Sequence, residues 1–275
     1  MKTIKYNTLG ILGNPLRQSL SPTLHNYWIN QNKLEYDYCK FELKCLDNID
    51  KSIRNLKLKG LNVTIPFKKE IIKYLDEIDK TAQRLQAVNT IKNNNGILKG
   101  YNTDVSGFIS GLNSLSKLNK EKPAVILGAG GACESVIYSL IEKGLKHIFL
   151  MNRTVEKAKQ LKKKYKEVTV IKWLEKDILQ FAGLIVNCTS LGMVGYPNLP
   201  ISLKKVSKDT KIYDIVYNPL ETRLIREAKK NKLEYVTGLP MFLGQAKKSF
   251  EIWFGITPKI NNYIISKIKK KIENK

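Results

Sequence analysis

Residues 124–151 restrict this chain more than any other stretch. Ala124-Val125-Ile126-Leu127 reads as an apolar strand, Gly128-Ala129-Gly130-Gly131-Ala132 turns the chain, and Cys133 to Lys143 form a helix that Gly144 ends. His147 to Met151 is the next strand. Strand, glycine turn, helix and strand within about 30 residues make the unit that binds a dinucleotide. Gly128 and Gly130 let the backbone turn tightly and approach a pyrophosphate, whose charge then rests on amides at the helix N-terminus. Cys133 takes the third small position, compact enough for close strand–helix packing.

A site for NAD places Asp or Glu at the end of the second strand to hold the ribose hydroxyls. This chain has Asn152-Arg153-Thr154 there, then Lys157. Arg153 can stack on adenine and pair with a 2′-phosphate, with Thr154 and Lys157 adding donors. The expected cofactor is NADP.

The half before this unit alternates strand and helix. Ile4 to Gly13 is a strand running into a loop, and Ser21-Pro22 starts a helix to about Gln31, with Ser21 as N-cap. Tyr36 to Leu43 alternates as a strand, Ile49 to Leu58 is helical, and Leu61-Asn62-Val63-Thr64 is a short strand. Pro66 opens a further helix with Lys68 in its first turn. Later strands are Leu184-Ile185-Val186-Asn187 and Ile212-Tyr213-Asp214-Ile215, Ser106 to Lys122 is the crossover between halves, and helices follow Gly238. The fold class is α/β in two domains, residues 1–104 completed by 239–275 and a Rossmann-type domain over 105–238.

Three polar strand ends in the first half mark a small-molecule site: Asn62 and Thr64 before Lys68, Asn89 in Ala87-Val88-Asn89-Thr90, and Asp104 closing Gly100-Tyr101-Asn102-Thr103-Asp104. A lysine and a carboxylate brought together can exchange a proton with an alcohol or ketone. Ser19 and Ser21, near a helix N-terminus, suit a substrate carboxylate. His25 reads as a packed structural residue.

Composition narrows the partners. A net charge of +24 invites a nucleic-acid reading, but lysine is spread over nearly every segment and no aromatic–basic pattern of an RNA-reading sheet occurs. No apolar run approaches the ~20 residues of a membrane span, and no leader segment is expected. The four cysteines lack metal spacing and read as buried free thiols in a reducing cytoplasm; with two histidines no metal site is expected.

These segments, nearly end to end, resemble the shikimate dehydrogenase family. Gly13-Asn14-Pro15 through Ser19-Leu20-Ser21-Pro22 and His25-Asn26 is similar to its substrate loop, Asn62 to Lys68 to its catalytic-lysine motif, and Asn152-Arg153-Thr154 to its NADP-selecting triplet. Asn187 to Met193, Tyr213 to Pro219, Gly238 to Ala246 and Phe250 to Trp253 match further segments. The resemblance implies reversible NADPH-dependent reduction of 3-dehydroshikimate to shikimate in a crevice between the domains. Lys68 would be the acid–base group, Asp104 its partner. Ser19, Ser21, Thr64, Lys68, Asn89, Asp104, Tyr217 and Gln245 would bind substrate. Gly128, Ala129, Gly130, Gly131, Ala132, Asn152, Arg153, Thr154, Lys157, Thr189, Ile215, Gly238 and Met241 would bind NADP. A quinate or dual-specificity dehydrogenase is the alternative enzyme, and a ligand-sensing or nucleic-acid-binding relative the alternative outside enzymes; a monomer or homodimer is expected. Three positions depart from the family pattern: Gln18 where histidine is common, Gln86 where glycine is usual, and Glu134 at a frequent arginine site. Glu134 is expected to face solvent, where the helix dipole favours it.

Overall fold

A computed structural model describes residues 7–274. It divides into two compact units, Met1–Asp104 with Gln245–Lys271, and Val105–Gly244 with Ile272–Lys275. In chain order the first half contains β1 (Thr8–Gly13), α1 (Ser21–Gln31), β2 (Asp37–Glu42), α2 (Ile49–Asn55), β3 (Gly60–Val63), β4 (Glu77–Ile78), α3 (Lys80–Leu85), β5 (Thr90–Asn94), β6 (Ile97–Tyr101) and α4 (Asp104–Leu112). The second contains β7 (Ala124–Leu127), α5 (Cys133–Glu142), β8 (Ile148–Met151), α6 (Val155–Lys164), β9 (Val168–Ile171), β10 (Leu184–Asn187), β11 (Lys211–Asp214), α7 (Arg223–Lys230), β12 (Tyr235–Val236), α8 (Gly238–Phe254) and α9 (Asn262–Glu273). The class is α/β, as expected.

In the first unit the sheet order is β2-β1-β3-β5-β6-β4. The β1–β2 and β1–β3 pairs are parallel, and β5 runs antiparallel to both β3 and β6. Asn95 and Gly96 make the β5–β6 turn with φ of 53° and 96°, the two left-handed positions of a tight hairpin. Leu12, Leu61, Val63, Ile91 and Leu98 share a buried cluster with Ile49 and Ile53 of α2. Trp253 of α8 lies over Gly60 and donates its indole N–H to the Ile91 carbonyl at 2.8 Å. A Cβ at Gly60 would sit 2.3 Å from that nitrogen, so the helix can dock only on a glycine.

The second unit is a parallel sheet in the order β12-β11-β10-β7-β8-β9. Ala124 and Ile126 pack into one apolar cluster, Val125 and Leu127 into another, so β7 is buried on both faces. This is the doubly wound dinucleotide fold, its order reversing between β7 and β10.

Local expectations need correction at several points. Residues 4–6 of the first strand lie outside the described residues. Ser21 is the first helical residue, not the cap: the N-cap is Leu20 and no side chain caps the helix, the Ser21 amide turning to Ser19 Oγ at 3.4 Å. The helix expected to Leu58 stops at Asn55, because Lys57 takes φ of 49°. Lys68 lies in a turn rather than a helix, followed by a short 3₁₀ segment, Glu70–Tyr74. Its carbonyl is taken by the Val88 amide at 2.8 Å, which removes the acceptor that a first helical turn needs. The crossover from Ser106 holds most of α4. All four cysteines are free, but Cys45 is exposed and Cys39 half-buried. No helix among the described residues is long and apolar enough to cross a membrane.

Candidate active site

Backbone pairing in the first unit draws the expected polar residues together. The Val63 amide bonds the Asn89 carbonyl at 2.8 Å, and the Asn89 amide bonds the Tyr101 carbonyl at 3.0 Å, so residue 89 sits between the ends of β3 and β6. Asn89 and Asp104 are thus not strand ends: Asn89 precedes β5, and Asp104 opens α4, where the helix dipole favours its charge. Asn102 fixes that opening, accepting from the Asp104 amide at 3.0 Å and donating to the Ala87 carbonyl at 2.9 Å.

Lys68 Nζ meets Asp104 Oδ2 at 2.5 Å, with 19% of the lysine side chain and 9% of the aspartate side chain exposed. Asn89 Nδ2 donates to the other carboxylate oxygen at 2.8 Å and to Thr103 Oγ1 at 3.0 Å. The Thr103 amide donates back to Asn89 Oδ1 at 2.8 Å. A carboxylate so held fixes the ammonium beside it, and such charge-assisted bonds are the strong ones.

Behind this pair lies a buried chain of polar groups, in which Asn62 and Ser21 were expected as site residues but Tyr38 and Ser249 were not. Ser249 Oγ is 2.7 Å from Thr90 Oγ1 and accepts from Asn62 Nδ2 at 3.0 Å. The Tyr38 hydroxyl donates to Asn62 Oδ1 at 2.6 Å, and Ser21 bonds the Tyr38 oxygen. Burial raises the Tyr38 phenol despite Ser21, so it stays a donor. Only the polar residues in otherwise apolar segments could have signalled this chain. Of the expected substrate residues, Ser21 is buried and Ser19, Thr64 and Gln245 are half-buried in this unit. Tyr217 belongs to the second unit, half-buried and stacked on Phe242 with ring centroids 5.0 Å apart. His25 is packed, as expected: it stacks on Tyr38 at 4.4 Å, and burial lowers it to about 3 against a partial opposing effect of Asn62. Gln86 ends α3 with φ of 48°, the left-handed conformation that favours the usual glycine.

In the second unit the glycine turn leaves β7 where the strand order reverses, the place where such sheets bind ligands. Gly128 has φ of 100°, and a Cβ on it would lie 2.6 Å from Thr189 Cγ2, at the end of β10. The far side is open: a Cβ on Gly131 would meet nothing within 4 Å, and one on Gly130 only the Cys188 carbonyl at 3.7 Å. No side chain caps α5. Open glycines ahead of uncapped helix amides fit a pyrophosphate. Asn152 accepts from the Ala129 amide at 2.9 Å and donates to the Thr154 carbonyl at 2.7 Å, tying the turn to the loop after β8. Arg153, Thr154 and Lys157 are exposed there, suited to an added phosphate. Ile215 lies against Gly238, and Met241 is buried in the cluster beneath the sheet.

Glu134 does not face solvent. It is 9% exposed, and its Oε1 accepts from Lys164 Nζ at 2.9 Å and from the Tyr165 hydroxyl at 3.3 Å, because α6 ends beside the start of α5. Its charge is therefore met by a cation. Among the described residues no group of three His, Cys, Asp or Glu side chains could hold a metal ion.

Known proteins match this arrangement along nearly the whole chain. Residues 11–91 match the profile of the shikimate dehydrogenase substrate binding domain, 112–193 that of shikimate / quinate 5-dehydrogenase, and 238–261 that of the shikimate 5'-dehydrogenase C-terminal domain. The chain is 41% identical to the shikimate dehydrogenase (NADP(+)) of Pelagibacter ubique, covering 94% of this chain and 97% of that one. It is 40% identical to the protein of the same name from Methanocaldococcus jannaschii, covering 98% and 100%. The crystal structure of shikimate 5-dehydrogenase from Thermus thermophilus, in complex with NADP(H) and shikimate, is similar with a TM-score of 0.83 and 31% identity, covering 98% and 99%.

Proposed function

Because the chain belongs to the shikimate dehydrogenase family, we propose that it catalyses the reversible NADPH-dependent reduction of 3-dehydroshikimate to shikimate, a step of aromatic amino-acid biosynthesis. The observation that carries the chemistry is the Lys68–Asp104 pair at 2.5 Å, with Asn89 on the second carboxylate oxygen. NADPH, when bound, supplies the hydride that the ketone carbon takes. Lys68 gives a proton to the oxygen as negative charge develops on it, and takes the proton back in the reverse direction. Asp104 aims the ammonium and, with Asn89, accepts or donates hydrogen bonds at the ring hydroxyls. Ser19 and Ser21 hold the carboxylate; Thr64, Tyr217 and Gln245 complete the substrate contacts.

Residues 1–104 with the C-terminal helices form the substrate domain in this reading, and residues 105–238 the NADP domain. Gly128, Ala129, Gly130, Gly131 and Ala132 would receive the pyrophosphate, supported by the open side of Gly130 and Gly131. Asn152, Arg153, Thr154 and Lys157 would take the adenosine end and its 2′-phosphate beside β8. A dinucleotide crosses the switch point, so its nicotinamide end falls toward β10 and β11, where Thr189, Ile215 and Gly238 stand and Met241 lies beneath. The free cysteines support a reducing, cytoplasmic setting.

The quinate alternative is not favoured, since the relatives at 40–41% identity carry the NADP shikimate name. The test is loss of NADPH absorbance with 3-dehydroshikimate, set against 3-dehydroquinate and against NADH. No oxidation of NADPH with 3-dehydroshikimate overturns the reading; faster turnover of 3-dehydroquinate moves it to quinate.

A further inference from the structure

The residues assigned to the nicotinamide end hang on a buried acid that the reaction does not use. Asp214 ends β11 with none of its surface exposed. Its carboxylate accepts from Asn187 Nδ2 at 2.9 Å, the Val216 amide at 3.0 Å and the Thr222 hydroxyl at 2.6 Å. All of these donors are neutral, and each fastens a different segment. Asn187 Oδ1 accepts from the Thr189 amide at 3.0 Å and the Thr189 hydroxyl at 2.7 Å, while its Nδ2 also donates to the Leu191 carbonyl at 3.1 Å. Thr189 in turn packs its methyl against Gly128. The Val216 carbonyl accepts from the Gly238 amide at 3.1 Å, and Gly238 lies so close to the Ile215 carbonyl that a Cβ would stand 2.1 Å from it. Thr222 caps α7 through the Ile225 amide at 3.3 Å.

We propose that Asp214 is a positioning residue for the nicotinamide end of the dinucleotide: its carboxylate, through Asn187 and Val216, sets where Thr189, Ile215 and Gly238 stand. The proposal rests on the reading of the second unit as an NADP domain. Asn187 and Val216 both bond Oδ1 and Thr222 bonds Oδ2, so a proton taken up on Oδ2 turns the Thr222 bond around and leaves Oδ1 a neutral, weaker acceptor for the two donors that set the nicotinamide end. Burial pushes Asp214 up to about 6, the donors offsetting this only in part, so the acid changes state in the neutral-to-acid range. The titratable group facing it is Cys188 at the end of β10; burial and Cys133 beside it push that thiol well up, so it stays neutral there.

Calorimetric titration of the full chain tests this with two probes, NADPH and adenosine 2′-monophosphate. The monophosphate shares the 2′-phosphoadenosine end but has nothing to place against β10 and β11. Asp214→Asn is expected to weaken NADPH about tenfold, the worth of a hydrogen bond to a charged group, and to leave the monophosphate unchanged. In the unaltered chain, the ratio of NADPH to monophosphate affinity is expected to fall by a comparable factor between about pH 8 and about pH 5, the 2′-phosphate's own ionisation being common to both probes and cancelling. In Asp214→Asn the ratio is expected to stay level. Equal weakening of both probes by Asp214→Asn, or no weakening of either, overturns the proposal alone. A ratio that does not move with pH in the unaltered chain overturns it too, and decides the matter if the variant fails to fold. If neither probe binds the unaltered chain, the NADP reading itself falls.

Discussion

Lys68→Met is the substitution that bears most directly on the chemistry. It keeps an unbranched side chain of similar length and removes the charge and the transferable proton. A positioned general acid contributes about 10²–10⁴ in rate, equivalent to roughly 3–5 kcal/mol of barrier. The loss is expected in kcat, because the proton moves only as charge builds on the substrate oxygen. Substrate KM is expected to stay within about threefold, since Asn89 still holds Asp104 at 2.8 Å and the other polar groups are untouched. Asp104 loses its cation but keeps Asn89 and the favourable start of α4, so unfolding free energy is expected to fall by roughly 1–3 kcal/mol without loss of fold. Steady-state NADPH oxidation with 3-dehydroshikimate gives kcat and KM, and a thermal melt reports the fold. A folded variant turning over within about fivefold of the unaltered enzyme would remove Lys68 from proton transfer. A large rise in KM at unchanged kcat would reassign it to ground-state binding.

Arg153→Ala is expected to weaken NADPH about ten- to a hundredfold and to change NADH use little, because only the 2′-phosphate contact is lost; equal losses with both cofactors would refute that assignment. Gly131→Ala is expected to leave the melting temperature unchanged, since its Cβ meets nothing within 4 Å, yet to weaken NADPH measured by fluorescence titration. Gly128→Ala is expected to destabilise the fold itself by roughly 1–3 kcal/mol, as φ of 100° and Thr189 both oppose a Cβ. Glu134→Gln is expected to shift NADPH affinity by less than about threefold, because its charge is already met by Lys164. His25, lowered to about 3 when folded against 6.5 when free, contributes stability that is present above pH 6.5 and is lost as pH falls from there toward 3. His25→Phe is expected to remove that part of the slope in melting experiments; Asp214, which titrates with the opposite sign, is common to both chains and cancels.

What the sequence by itself determined is local. Four apolar residues at 124–127, a turn only glycine can make at 128, and a helix stopped at Gly144 specify a dinucleotide unit through contacts a few residues long. The Asn152-Arg153-Thr154 triplet after β8 follows from the same register, so a preference for NADP was legible too. The Asn95-Gly96 hairpin was not among the sequence expectations, although its turn chemistry is a strong local signal. The two-residue β4 has no such signal, since only its partner β6 makes it a strand.

Tertiary structure decided everything that depends on which donor reaches which acceptor. Lys68 and Asp104 stand 36 residues apart, and the Val88 amide, by claiming the Lys68 carbonyl, both breaks the expected helix and turns the lysine toward its acid. Glu134 was expected to face solvent on the strength of the helix dipole alone; its partners arrive from the end of α6, 30 and 31 residues on. Ser249 carries no motif, and Asp214, although it lies in the Tyr213 to Pro219 segment, was expected only as a strand residue; the part each plays comes from the donors that folding brings to it. A helix or glycine turn is selected by neighbours along the chain, whereas a buried polar group is satisfied by whatever the folded chain brings within about 3 Å.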